Sequence, residues 1–366
     1  MSSDKNFIVK SKEEESILWF DVLDEKRFKI YGLNWLNQPS GFNRLPESKK
    51  DLLLEVCPNV YNLASNTAGV QAHFFTNSKK IIIDVEVDSE QNLSGMTPLA
   101  RAGFDLYVGK SFKEVKFFGG SGFNPTDKLY QHSFINYYDE EVLCLLNFPL
   151  YTGVKKLKIG IEEKAMLRSS NTFDKLKRVI CYGTSITQGG CASRPGLNYT
   201  NILSRRLGVE WLNFGFSGNA FGESELIDIL AQIDNASLFI IDYEANSGTN
   251  GKLKKTLRSM IEVIRKHQPD IKIMVISRIP YLFDEIVQSF KEVRTDLREF
   301  QEKLIKELQD MGDKNLYYVN GSKLLGEDYH EYTVDTVHPN DLGFMKFSDS
   351  IGKIINSIIN TGENNE

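Results

Sequence analysis

The 366-residue sequence has no uninterrupted apolar run long enough to cross a bilayer, and its opening, MSSDKNFIVKSKEEES, lacks the apolar stretch of a secretory leader. A membrane span is therefore not expected, and a cytoplasmic location is. Basic charge is not in surplus: 44 Lys and Arg stand against 49 Asp and Glu, a net charge of -5. With no stripe of Lys and Arg interleaved with aromatics, nucleic acid is not an expected partner. Cysteine is scarce. Cys57, Cys144, Cys181 and Cys191 form no CxxC pair and none has a neighbouring histidine at metal-ligand spacing, so no metal is expected. A reducing compartment asks for no disulfide. The P-loop lysine and the GxGxxG spacing are missing too, and no cofactor is expected.

Two patterns are present, and they change over near residue 170. Before it come short alternating segments: KKIIIDVEVD from Lys79, FDLYVG from Phe104, EVKFFGG from Glu114 and KKLKIGIEE from Lys155. In the last, Leu157, Ile159 and Ile161 share one face while Lys156, Lys158 and Gly160 share the other, the period of a half-buried antiparallel strand. Turn-rich stretches such as GGSGFNP separate the segments, and residues 1–170 read as an all-β sandwich or jelly roll. Its aromatics, among them Trp19, Trp35, Phe117 and Phe118, are of the kind that stack on sugar rings, although such residues more often fill a core.

From 171 to 366 strands alternate with helices. Candidate strands are Arg178 to Tyr182, Glu210 to Phe214, Leu238 to Asp242, Lys272 to Ser277 and Asn315 to Val319. One helix carries the stripe Phe290, Val293, Leu297, Phe300, Leu304 and Leu308, and the last carries Phe344, Phe347, Ile351, Ile354 and Ile358. Parallel neighbours need crossover helices, so this half is expected to be a flavodoxin-like, doubly wound, five-stranded parallel sheet of the α/β class. Ligands of such sheets sit at the carboxyl ends of the strands.

Four segments fall at those ends. VICYGTSITQGGC runs from the first strand into a small-residue loop with Ser185; NFGFSGNAFG holds Gly218 after the second strand; DYEANSG holds Asn246 after the third; DTVHPNDLGF places Asp335 three residues before His338. Taken singly, Ser185 and Asp335 read as helix caps and His338 as a loop histidine. Taken together they supply a hydroxyl nucleophile, an imidazole base and a carboxylate to orient it. His73, His132 and His267 have no such company and read as structural, and His330, near the last segment, is a lesser rival base. Asn219, Phe221 and Arg278 fall near the same rim.

These blocks resemble those of the SGNH (GDSL-type) hydrolase superfamily over roughly residues 176 to 360. The resemblance implies Ser185 as nucleophile, Asp335 and His338 as its catalytic partners, and an oxyanion hole made by the Ser185 and Gly218 N–H groups with the Asn246 side-chain amide. It departs in two places: the first block reads GTS rather than GDS, and Glu244 and Ser247 replace the glycine and aspartate of the third. A carboxylate at 244 would repel an oxyanion unless it is turned outward or bound. The first half resembles the β-sandwich of a bacterial two-domain subgroup of these esterases and acyltransferases. The expected reaction is hydrolysis of small acyl esters, with acetylated sugars as the expected partners by analogy. An acyltransferase using the same acyl-enzyme, and a carbohydrate-binding protein with a vestigial site, stay open, as does oligomerisation.

Overall fold

The computed structural model describes residues 16–88, 93–173 and 178–360. The alternating segments of the first half become strands β1 (Ile17–Asp21), β2 (Lys29–Tyr31), β3 (Gln71–Thr76), β4 (Lys80–Val87), β5 (Asp105–Gly109), β6 (Lys116–Gly120), β7 (Leu129–Ile135), β8 (Val142–Asn147), β9 (Val154–Glu162) and β10 (Leu167–Ser169). They form two antiparallel sheets, in the orders β1-β9-β4-β7 and β10-β3-β8-β5-β6, with β2 paired to β3. One apolar core lies between them: Ile83 and Ile159 from one sheet pack with Phe74 and Leu146 from the other. As the period of two requires, Leu157, Ile159 and Ile161 enter this core while Lys156 stays exposed.

Three short helices, α1 (Lys50–Val56), α2 (Pro58–Leu63) and α3 (Pro98–Ala102), interrupt this half. The first two do not serve the sandwich. Leu53, Val60 and Tyr61 instead join the core on one face of the second half's sheet, against Tyr182 and Phe214. Just before them the buried Arg44 donates to the carbonyls of Asn213 (2.9 Å), Gly215 (2.8 Å) and Leu63 (2.8 Å). Burial brings its guanidinium down to about 9.

The second half holds five parallel strands, β11 (Arg178–Gly183), β12 (Glu210–Gly215), β13 (Ala236–Asp242), β14 (Lys272–Ile276) and β15 (Leu316–Val319), in the order β12-β11-β13-β14-β15. Their helices are α4 (Ser185–Gln188), α5 (Tyr199–Leu207), α6 (Ser224–Ala231), α7 (Glu244–Ser247), α8 (Lys252–His267), α9 (Phe283–Ile286), α10 (Gln288–Asp310) and α11 (Asp341–Ile359). Successive strand residues feed opposite faces. Ile180 and Tyr182 meet α6, α8 and α10, whereas Val179 and Cys181 meet α5 and α11.

One expected stripe is shorter than its periodicity suggests. Leu297 and Leu304 of α10 are buried, but Phe290 and Val293 in its first turns are exposed. There Arg294 is the residue turned inward, because it binds the buried Asp284. Among the described residues no helix is long and apolar enough to cross a membrane.

Candidate active site

The first strand of the second half ends at Gly183, where a Cβ would come within 2.1 Å of Thr187 Oγ1 and 2.7 Å of the Asp242 carbonyl. Only glycine lets the chain turn that tightly into Thr184, whose hydroxyl caps the Ile186 N–H, and then into Ser185 at the start of α4. The helix that begins there, α4, is only four residues long. Its macrodipole is correspondingly small, and the local N–H groups must act by themselves.

Ser185 Oγ lies 2.8 Å from His338 Nε2. His338 Nδ1 lies 2.7 Å from Asp335 Oδ2, and Asp335 Oδ1 accepts the backbone N–H groups of His338 (2.8 Å) and Val337 (3.1 Å). The three expected residues, 153 positions apart at their extremes, are thus in one hydrogen-bonded line. Partial burial of Asp335 opposes its ionisation, but the hydrogen bonds from His338 and Val337 outweigh it and hold the carboxyl below the usual range. His330 is not in this line; its ring lies 3.8 Å from Glu331. His73 is fully buried between Thr172 and Gln71, and burial drives it down to about 3.

The loop after β12 approaches Ser185 from the other side. Phe216 N–H donates to the Gly183 carbonyl (2.9 Å), Ser217 N–H to Gln188 Oε1 (3.0 Å), and Asn219 N–H closes a turn onto Phe216 (3.0 Å). Gly218 sits in that turn with φ 69°, a left-handed conformation costly for other residues, and a Cβ there would meet nothing within 4 Å. Its place is thus set by backbone conformation and opens onto free space. Among the described residues the Ser185 and Gly218 N–H groups have no hydrogen-bond acceptor.

Asn246, on α7, faces the same loop. Its amide orientation follows from its neighbours: the N–H groups of Asn219 and Ala220, each 3.1 Å away, need Oδ1 opposite them, which turns Nδ2 to the other side. The reverse orientation would set NH2 against two donors for a single contact of 3.4 Å to the Phe216 carbonyl.

Glu244 is bound rather than turned outward. It is buried, and its Oε2 accepts from the Arg278 N–H (3.0 Å) and Gln301 Nε2 (2.7 Å), with the Arg278 side chain 3.7 Å from Oε1. Burial raises its carboxyl, and Gln301 and Arg278 pull it back only in part. Arg278 is committed as well, gripping Asp284 through both terminal nitrogens at 2.7 and 2.5 Å. This ionic cluster fastens the α7 turn that carries Asn246 to α10 and β14.

Several neighbours of the site were not among the expected residues. Tyr151, from the first half, reaches the Ser185 carbonyl at 3.4 Å. Asp242, at the end of β13, meets Thr187 Oγ1 at 3.3 Å, and burial pushes its carboxyl up to about 7. Asp105 and Tyr107, within Gly103-Phe104-Asp105-Leu106-Tyr107, cross to the loop after Ser185: Arg194 Nη1 donates to both at 2.7 Å, and the Gly196 N–H donates to Asp105 at 2.9 Å. A GxDLY pattern in the strand FDLYVG was the available clue. Cys191, which has no histidine near it at metal-ligand spacing in the sequence, lies beside His338 and Asp335 in the fold: its Sγ and ligand atoms of those two residues are all within 4.8 Å of one another.

The rim residues divide. Asn219 and Phe221 line a cleft of about 420 Å³ one residue beyond Gly218, with Lys252 stacked 3.9 Å over the Phe221 ring. Trp35 packs into the core beside Phe214, whereas Trp19 and Phe117 are exposed on the sandwich.

Comparison with known proteins agrees with this architecture. Residues 176–356 match the sequence model of the GDSL-like Lipase/Acylhydrolase family, and residues 17–167 match GxDLY, the N-terminus of SGNH-hydrolase-type esterases. No protein of curated function matches by sequence. Among solved structures, one from Bacteroides ovatus assigned to the GDSL-like lipases is 31% identical, with TM-score 0.85 over 94% of this chain and 98% of its own. A salicylyl-acyltransferase from a tetracycline biosynthetic pathway is 19% identical, with TM-score 0.76 over 92% and 95%. An acetyl xylan esterase from the rumen bacterium Butyrivibrio proteoclasticus is 10% identical, with TM-score 0.57 over 92% and 98%. The first of these likenesses, together with family models that span both halves, makes this chain a member of the GDSL-like lipase/acylhydrolase family of ester hydrolases.

Proposed function

We propose that the chain is a serine esterase that removes small acyl groups, acetyl foremost, from esters of carbohydrates. The observation that carries this reading is the unbroken line from Ser185 Oγ through the His338 ring to Asp335. In it, Ser185 attacks the acyl carbonyl as His338 Nε2 takes the hydroxyl proton. Asp335 keeps the other ring nitrogen protonated and stabilises the imidazolium that forms. The oxyanion of the tetrahedral intermediate is met by the Ser185 and Gly218 N–H groups and by Asn246 Nδ2. His338 then passes the proton to the leaving alcohol. Water, activated by the same imidazole, releases the acid from the acyl-enzyme.

The sugar alcohol and the acetyl group are supported by the likeness to the acetyl xylan esterase. Hydrolysis of p-nitrophenyl acetate and of acetylated xylo-oligosaccharides by the purified chain, set against Ser185→Ala, tests the reading. Equal turnover by the two proteins would end it. A second reading, acyl transfer to an alcohol, is supported by the likeness to the salicylyl-acyltransferase. It predicts a new ester, visible by mass spectrometry, when an acceptor alcohol is present.

A further inference from the structure

The loop that follows the nucleophile turn contains a residue which esterase chemistry does not require. Cys191 is half-buried and held at φ 71°, although two glycines stand immediately before it. Side chains with a Cβ avoid that region, and an observed outlier beside a reactive centre is grounds for asking what it does. What Cys191 gains there is company: its Sγ, an Asp335 carboxylate oxygen and a His338 ring nitrogen all lie within 4.8 Å of one another.

We propose that Cys191, Asp335 and His338 form a binding site for a thiophilic divalent cation of the Zn²⁺ class, and that occupation of this site switches the esterase off. The donor set is a thiolate, an imidazole and a carboxylate, the three ligand types that Zn²⁺ takes at roughly 2.0–2.3 Å. Tetrahedral bonds of that length place ligand atoms roughly 3.3–3.8 Å apart, so the Nδ1–Asp335 pair, now 2.7 Å apart, opens by about 0.6 Å while Cys191 closes in by about 1 Å. Three protein ligands leave a fourth position for water. The Cys191 S–H bond breaks as the metal–sulfur bond forms, and its proton goes to solvent.

The loss of activity follows from which nitrogen is taken. Nδ1 is the ring atom that faces Asp335, so the metal enters between the two and displaces the Nδ1 proton. The Nδ1 proton passes to solvent as Nε2 takes one up from solvent, so the bound imidazole stays neutral and carries its single proton on Nε2. That nitrogen faces Ser185 Oγ and can then no longer accept its proton. The cation is thus an inhibitor that competes for the orienting hydrogen bond, with no part in turnover.

The inhibitory half of the proposal rests on the esterase reading, and the binding half does not. Co²⁺ is therefore titrated into the full chain while the near-ultraviolet thiolate-to-cobalt charge-transfer absorption is followed. In parallel, Zn²⁺ inhibition of p-nitrophenyl acetate hydrolysis is measured for the wild type, Cys191→Gly and Cys191→Ser. Glycine keeps the left-handed backbone without the thiol, and serine is a second variant should glycine loosen the loop. The expected result is a saturable cobalt absorption lost in both variants, and Zn²⁺ inhibition that EDTA reverses and that needs at least about tenfold more metal in the variants. Absence of the absorption, equal Zn²⁺ sensitivity of wild type and variants, or metal binding without inhibition would each overturn the proposal. If the metal-free chain hydrolyses no ester, the esterase reading falls while the cobalt spectrum still decides the metal site.

Discussion

Asp335 holds His338 at two points, one carboxylate oxygen facing Nδ1 at 2.7 Å and the other accepting the backbone N–H of the same histidine at 2.8 Å. Ring tautomer and loop conformation therefore depend on one side chain. Asp335→Asn should lower kcat by about 10³–10⁴, because an amide can face Nδ1 with its NH2 and leave the ring in the wrong tautomer. His338→Ala should be at least as severe. His330→Ala should be nearly silent, its ring being paired with Glu331 at 3.8 Å. Steady-state kinetics on the three variants check this, and a near-normal Asp335→Asn enzyme would reduce the machinery to a Ser–His pair.

Asn246 is expected to act on the transition state more than on the bound substrate. With Oδ1 engaged by the Asn219 and Ala220 N–H groups, its Nδ2 is the end left to donate. Asn246→Ala should then reduce kcat by about 10²–10³ with KM little changed. A raised KM at unchanged kcat would assign the residue to substrate binding instead.

Glu244 should behave as a structural residue whose effect reaches the site through α7. Removing its carboxylate leaves the Arg278 N–H and Gln301 without their acceptor in a buried cluster. Glu244→Ala should cost about 2–4 kcal/mol in urea unfolding. It should also lower kcat by loosening Asn246, so that combining it with Asn246→Ala adds little further loss of rate. Full additivity of the two rate effects would separate Glu244 from the oxyanion donor.

Asp242 makes stability depend on pH. Its folded-state carboxyl stands at about 7, against about 3.9 for an unfolded aspartate. Between those values the folded chain holds the extra proton, so the residue's contribution is fully present below about pH 4 and lost as pH rises through 7. Asp242→Asn stays neutral throughout. Between about pH 5 and pH 8 it should lose less stability than the wild type, by on the order of 1–3 kcal/mol, measured by urea unfolding at each pH. Parallel pH profiles for the two proteins would show that Asp242 ionises without penalty.

Much of this was legible because it is local. The five strands of the parallel sheet announce themselves as short apolar runs, and Ser185, Gly218, Asn246 and the Asp335–His338 pair stand immediately after strands or before the last helix. What escaped is tertiary. That Glu244 must be turned outward or bound could be read from its charge, but not its partners, Arg278 and Gln301, which lie 34 and 57 residues away. Phe290 and Val293 keep the helical period of α10, yet the core they would enter is taken up there by the Arg294–Asp284 pair. Cys191 reaches His338 only through the fold. The GxDLY strand showed its period of two, but not that Asp105 and Tyr107 leave the sandwich to hold Arg194.

The placement of α1 and α2 has a consequence for biosynthesis. Leu53, Val60 and Tyr61 leave the ribosome about 120 residues before the strand carrying Tyr182, which is one of the surfaces they bury against. At roughly 5–20 residues per second that gap lasts about 6–24 s. During it, strands β3 to β10 of the sandwich emerge while α1 and α2 carry an apolar flap with nowhere to dock. The nascent chain must be tolerated in that state by slow collapse or by chaperones. Synonymous codon changes that lengthen the pause between residues 64 and 183 should therefore lower the yield of folded protein without altering a single side chain.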